Sequence, residues 1–95
     1  MEYNINSEFV CTHGATISQG MSFFNYLMFA EHPHTRLTKG SFDVVVDVYC
    51  DTRKEALAIH RLSKQFLGKQ WKHEFRNFLD TANPFICVEY TYQFA

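Results

Sequence analysis

The sequence predicts a small α+β domain, and three stretches carry that reading. Residues 42–51, FDVVVDVYCD, alternate cleanly: Phe42, Val44, Val46, Val48 and Cys50 point one way, and Asp43, Val45, Asp47, Tyr49 and Asp51 the other. This is the period of two of a strand with one buried and one wet face, and its β-branched and aromatic content agrees. Residues 52–67 switch to a helical period, with Ala56, Ile59, Leu62 and Phe66 as core face. Residues 85–94 alternate again, with Ile86, Val88, Tyr90, Tyr92 and Phe94 inward and Phe85, Cys87, Glu89, Thr91 and Gln93 outward. A chain of 95 residues is one domain, 1–95, long enough to bury a core without a disulfide or metal staple.

The remaining elements follow in order. Residues 2–11 read as a first strand, with Tyr3, Ile5, Phe9 and Cys11 alternating with Glu2, Asn4, Asn6 and Glu8, and 12–14 as a turn. Residues 18–31 read as a helix capped by Ser18 or Ser22, with Ile17, Met21, Phe24, Leu27 and Met28 inward and Phe29 on the polar side. Pro33 stops it. Residues 35–38 are a short extended segment, and Lys39-Gly40 a two-residue turn into the central strand. Gly68 ends the second helix. Residues 70–79 continue helically on Trp71, Phe75 and Phe78 or Leu79, as a third helix or a kinked extension, and Asn83-Pro84 breaks the pattern.

Counting the short hairpin, the order resembles the split βαβ arrangement of ferredoxin-like folds, in element order only. That resemblance implies a single sheet with two to three helices on one face. Without the hairpin, a three-stranded α/β two-layer sandwich is the alternative. The order implies no activity, because the arrangement hosts many functions.

Composition narrows the function classes. The net charge of −1 gives the whole molecule no strong pull on nucleic acid or membrane. Cys11, Cys50 and Cys87 are widely spaced without a CxxC, which points to free thiols in a reducing compartment. The start MEYNINSEF lacks a signal-peptide pattern, and the apolar run 21–30 is too short to span a bilayer. The expected location is cytoplasmic.

The chemical constellations are sparse, and neither a cofactor nor a bound metal is expected. Cys11/His13 and His32/His34 are close pairs of soft ligands, with Cys50 as a fifth candidate. They flank a helix of ~20 Å, too long for the pairs to share one ion. Asp43, Asp47 and Asp51 share a face but stand ~13 Å apart along the strand, too far for an acid–base pair unless another strand supplies a partner such as Glu8. Cys11 and Cys50 fall on core faces, and Cys87 on the outer face as the accessible thiol. Lys39–Val44, KGSFDV, starts like the third-strand motif of RNA-recognition domains but lacks its stacking aromatics.

Charge distribution carries the functional reading. Seven of the nine basic residues lie in 53–76: Arg53, Lys54, Arg61, Lys64, Lys69, Lys72 and Arg76. Glu2, Glu8, Asp43, Asp47, Asp51 and Glu89 fall outward on predicted strands. An acidic sheet face centred on Tyr49 is therefore expected opposite a basic helix face carrying Arg53, Lys54, Leu57, Arg61 and Lys64. Exposed faces must be polar, so solubility alone accounts for part of this. An aromatic ringed by charge is also a common plan for a protein-binding patch.

The favoured expectation is a non-enzymatic domain binding a basic protein surface through Asp43, Asp47, Tyr49, Asp51 and Glu89, for example an inhibitor or immunity-type protein occupying the nucleic-acid site of an enzyme. Direct nucleic-acid binding by the basic helix 53–76 is the first alternative and a small thiol- or His-dependent enzyme the second. A second copy of the chain is a further candidate partner, and a membrane is not.

Overall fold

The computed structural model describes residues 2–30, 32, 34–78 and 85–94, with side chains for 13–30, 32, 34–76 and 86–94. The element order is α1 (Glu2–Phe29), β1 (Thr35–Lys39), β2 (Asp43–Cys50), α2 (Arg53–Ser63), β3 (Lys72–Phe78) and β4 (Phe85–Gln93). The strands form one antiparallel sheet in the order β1-β2-β4-β3. The α+β class and the interior position of β2 are as expected. The order differs from the ferredoxin-like one, because the first element is helical and 72–78 is a strand.

The strand β2 behaves as its alternation requires. Val44, Val46, Val48 and Cys50 are buried, and Asp43, Val45, Asp47 and Tyr49 are half-buried on the other face. Phe42 lies outside the strand and is 67% exposed, not core. The β1–β2 register pairs Lys39 with Val44, and the Gly40 amide donates to the Asp43 carbonyl at 2.9 Å. The turn residues are thus Ser41 and Phe42, two positions beyond the Lys39-Gly40 turn expected.

The N-terminal expectations are overturned. Residues 2–11 are helical rather than a strand, 12–14 form no turn, and Ser18 and Ser22 lie inside α1 rather than capping it. The buried stripe of α1 is Thr16, Gly20, Phe23 and Leu27, while Met21 and Met28 are about half exposed. This stripe sits one residue from the expected one, a rotation of ~100°. Phe29, 89% exposed, does lie on the polar side.

α2 is opened by Thr52, whose hydroxyl accepts from the Glu55 amide at 3.1 Å, and Glu55 reaches back to the Asp51 amide at 3.2 Å. This reciprocal arrangement is a variant of the capping box. Ala56 and Ile59 are buried, and Leu62 and Phe66 pack on the core as expected, but the helix ends at Ser63, well before Gly68. Residues 72–78 pair with β4 instead of continuing helically. Their aromatic spacing imitated a helix, whereas pairing gives β3 an alternation of Lys72, Glu74 and Arg76 against His73 and Phe75. The calls at Pro33, Leu79 and Asn83-Pro84 lie outside the described residues.

Both helices pack on one sheet face. Phe23 and Leu27 of α1 join Ala56 and Ile59 of α2 over Val44, Val46, Val48, Val88, Tyr90 and Tyr92. Phe23 meets Tyr90 edge-on at 5.3 Å and 87°, the geometry aromatic quadrupoles favour. Trp71 locks the start of β3 to α1: its indole N–H donates to the Thr16 carbonyl at 3.3 Å, and its ring lies over Gly20, where a Cβ would sit 2.4 Å from the ring.

Candidate functional site

The sheet face opposite the helices is built by register. Three cross-strand rows cover it: Thr38–Val45–Thr91–Lys72, Arg36–Asp47–Glu89–Glu74, and Tyr49–Cys87–Arg76. Carboxylates therefore run through the middle of the face, and the cations Arg36, Lys72 and Arg76 sit on the two edge strands. Three of the expected site residues, Asp47, Tyr49 and Glu89, come together here. Asp43 lies at the far end of β2, opposite Gln93. Asp51 is exposed just beyond the strand.

The middle row places Asp47 directly opposite Glu89 and Glu89 opposite Glu74, a like-charge arrangement that costs stability unless compensated. Arg76 compensates it. Its Nη2 donates to Glu89 at 3.1 Å and to Glu74 at 3.3 Å. Burial, opposed by Arg76 and reinforced by Asp47, nevertheless pushes the Glu89 carboxyl above its usual range. Tyr49 is pushed up by burial and by Asp47, so it presents a neutral phenol at physiological pH. The partner carboxylate sought for Asp47 from another strand is Glu89 on β4; the side chain of Glu8, the earlier suggestion, is not described.

Two placements correct the charge and thiol expectations. Lys72 and Arg76 belong to this sheet face and Lys69 to the preceding loop, so only Arg53, Lys54, Arg61 and Lys64 remain on or at the end of α2, where they are exposed. The face thus carries Asp47 and Glu89 on its inner strands and the cations Arg36, Lys72 and Arg76, together with Glu74, on its edge strands, rather than being acidic throughout. Cys87 does face outward, opposite to Cys50, yet it is 1% exposed. Its Sγ lies 3.8 Å from Asp47 Oδ1, and burial together with Asp47 pushes the thiol up to about 12. It is not the accessible thiol expected. Both Cys50 and Cys87 are free.

Two groupings were not assembled from the sequence, although His32 and Cys50 stood among its candidate ligands. On the helix side, the rings of His60 and His73 meet at a tilt of 43° with centroids 4.3 Å apart, beside Tyr90, Lys64 and Lys69 in a groove of about 350 Å³. Burial lowers the His60 pKa, with His73 and Lys64 adding to it. The strand assignment of 72–78 is what creates this groove, so a helical reading had no way to find it. At the other end of the sheet, polar atoms of His32, Cys50 and Glu55 lie within 4.8 Å of one another. The Cys50 thiol is fully buried and is pushed up to about 12 by burial, then by Glu55 and Asp51, which disfavours a nucleophilic thiolate. Of the other two histidines weighed as ligands, His34 is exposed and His13 bonds Tyr92 OH through Nδ1 at 2.7 Å.

Comparison with family models, with curated proteins and with solved structures finds no match for this chain. Among the described residues no helix is long and apolar enough to cross a membrane.

Proposed function

We propose that the chain is a non-enzymatic binding domain that holds a protein partner with a basic surface on the sheet face opposite its helices. The contact set is Asp43, Asp47, Tyr49, Asp51 and Glu89. The observation that supports this reading most is the row Asp47–Glu89–Glu74 across three strands, adjacent to half-buried Tyr49, on the side of the sheet away from α1 and α2. Arg76 pairs with Glu89 and Glu74, and the Asp47–Glu89 pair beside it keeps two like charges opposite one another, which a partner's cation would offset. Arg36 and Arg76 at the edges favour a partner whose own rim carries acids. An inhibitor that occupies the nucleic-acid site of an enzyme is the concrete form, since such sites concentrate Lys and Arg.

The experiment is affinity capture from the native host with three baits: wild type, Tyr49→Ala and Arg61→Ala. The expected result is one protein retained by wild type and Arg61→Ala and depleted at least tenfold by Tyr49→Ala. A partner lost only with Arg61→Ala transfers the binding role to α2 and refutes the assignment to the sheet.

A further inference from the structure

The grouping around His32 brings an imidazole nitrogen, a carboxylate oxygen and a thiol sulfur within 4.8 Å of one another. The Thr35 hydroxyl donates its single proton to the His32 carbonyl at 3.1 Å. The same hydroxyl lies 3.2 Å from His32 Nδ1, and His32 Nε2 faces Glu55 Oε1 at 2.8 Å, so the ring is held between Thr35 and Glu55 with Nε2 toward the carboxylate. Cys50 Sγ lies within 4.8 Å of both groups, and the thiol also donates to the Val48 carbonyl at 4.0 Å.

We propose that His32 Nε2, Glu55 and Cys50 Sγ bind a single divalent transition-metal ion, zinc by ligand chemistry, with a fourth position open on the His32–Glu55 side.

The mixed nitrogen, oxygen and sulfur set suits zinc over the hard cations, which prefer oxygen. Metal–ligand bonds of ~2.0–2.3 Å require tetrahedral ligand separations of roughly 3.3–3.6 Å. The His32–Glu55 pair therefore opens by about half an ångström, and the thiol closes by about one. The supports are in place. Thr35, 3.2 Å from His32 Nδ1, holds the ring orientation of His32, as outer-shell groups of metal sites commonly do. Glu55 is anchored through its second oxygen by the Asp51 amide at 3.2 Å, and its position in the first turn of α2 is set by Thr52. Access runs through His32 and Glu55, whose side chains are 14% and 37% exposed, while the sulfur is the inner ligand. On binding, the Cys50 thiol gives up its proton to solvent and His32 coordinates through a nitrogen lone pair, so M²⁺ is held by one thiolate, one carboxylate and one neutral imidazole, a set whose charge it balances. The ion would tie the α1–β1 connection to the β2–α2 corner, away from the outer sheet face and independent of its proposed role.

The test is cobalt titration of the reduced full chain, followed by zinc displacement. Wild type should give a sulfur-to-cobalt charge-transfer band with tetrahedral d–d bands, lost on adding equimolar zinc. Glu55→Gln should weaken cobalt binding at least tenfold, and Thr35→Val about 10–100-fold as an orienting group does. Cys11→Ser and Cys87→Ser should leave the band intact. No sulfur charge-transfer band in wild type overturns the site, as does a band that survives in Cys50→Ser or disappears in Cys87→Ser or Cys11→Ser. Because Cys50→Ser alters a fully buried position, Glu55→Gln decides if that variant fails to fold: cobalt affinity equal to wild type in Glu55→Gln also overturns it.

Discussion

Cys87 separates two properties that strand periodicity treats as one. Its outward direction was legible from alternation; its 1% exposure was not, because the neighbours that cover it come from β2 and β3. With thiols pushed up to about 12 by burial, neither Cys50 nor Cys87 should react with iodoacetamide at neutral pH in the native protein. Both should react in urea, as read by site-resolved mass spectrometry. Rapid native alkylation of Cys87 would mean the outer face is open around it. His60 gives a second prediction at this scale. Its pKa is lowered by burial and by His73 and Lys64, so the native ring stays neutral where the unfolded one takes a proton near pH 6.5. The unfolded state then binds more protons, and stability falls as pH drops through the window below about 6.5. Urea midpoints measured from about pH 7 to 5.5 should decline, and His60→Gln should flatten that part of the profile. An unchanged slope in the variant would remove His60 as the cause.

At the scale of elements, regular alternation was a reliable guide and aromatic spacing was not. β2 and β4 were readable because one apolar side chain at every second position leaves only one register that keeps three aspartates out of the core. α1 was misread because its buried stripe begins with small residues, Thr16 and Gly20, which carry no hydrophobic signal. Large neighbours one position on, Met21 and Met28, carried that signal and turned out half exposed. β3 was misread because its aromatics happen to recur at helical spacing, while the pairing with β4 that decides its conformation is invisible locally. Gly20 tests the docking of α1 on β3. An alanine there gains ~1 kcal/mol of helix propensity but places its Cβ 2.4 Å from the Trp71 ring, and that ring is held by its bond to Thr16. Overpacking costs about 1–3 kcal/mol, so Gly20→Ala should lower the melting temperature. The loss should shrink in a Trp71→Leu background, where the two sites are coupled. Equal losses in both backgrounds would mean that Gly20 is not chosen for Trp71.

Across the whole molecule, two helices on one side of a four-stranded sheet leave the other side to polar rows, and those rows define the proposed contact surface. Part of it was legible: Asp43, Asp47, Tyr49 and Glu89 were placed outward from period two alone. The edge cations were not, since Lys72 and Arg76 reached this face only through the pairing of β3. Asp47→Lys should slow association with a basic partner and reduce its salt dependence, because complementary charge steers the encounter. Tyr49 brings large apolar area with little rotamer entropy to lose, which suits an anchor. The most direct test is therefore surface binding kinetics of Tyr49→Ala with the captured partner, with circular dichroism as the folding control. An anchor predicts a loss of about 2 kcal/mol or more, roughly 30-fold in Kd, with the fold intact. Wild-type affinity in Tyr49→Ala, together with weakened binding in Leu57→Ala or Arg61→Ala, would contradict the assignment and place the site on α2.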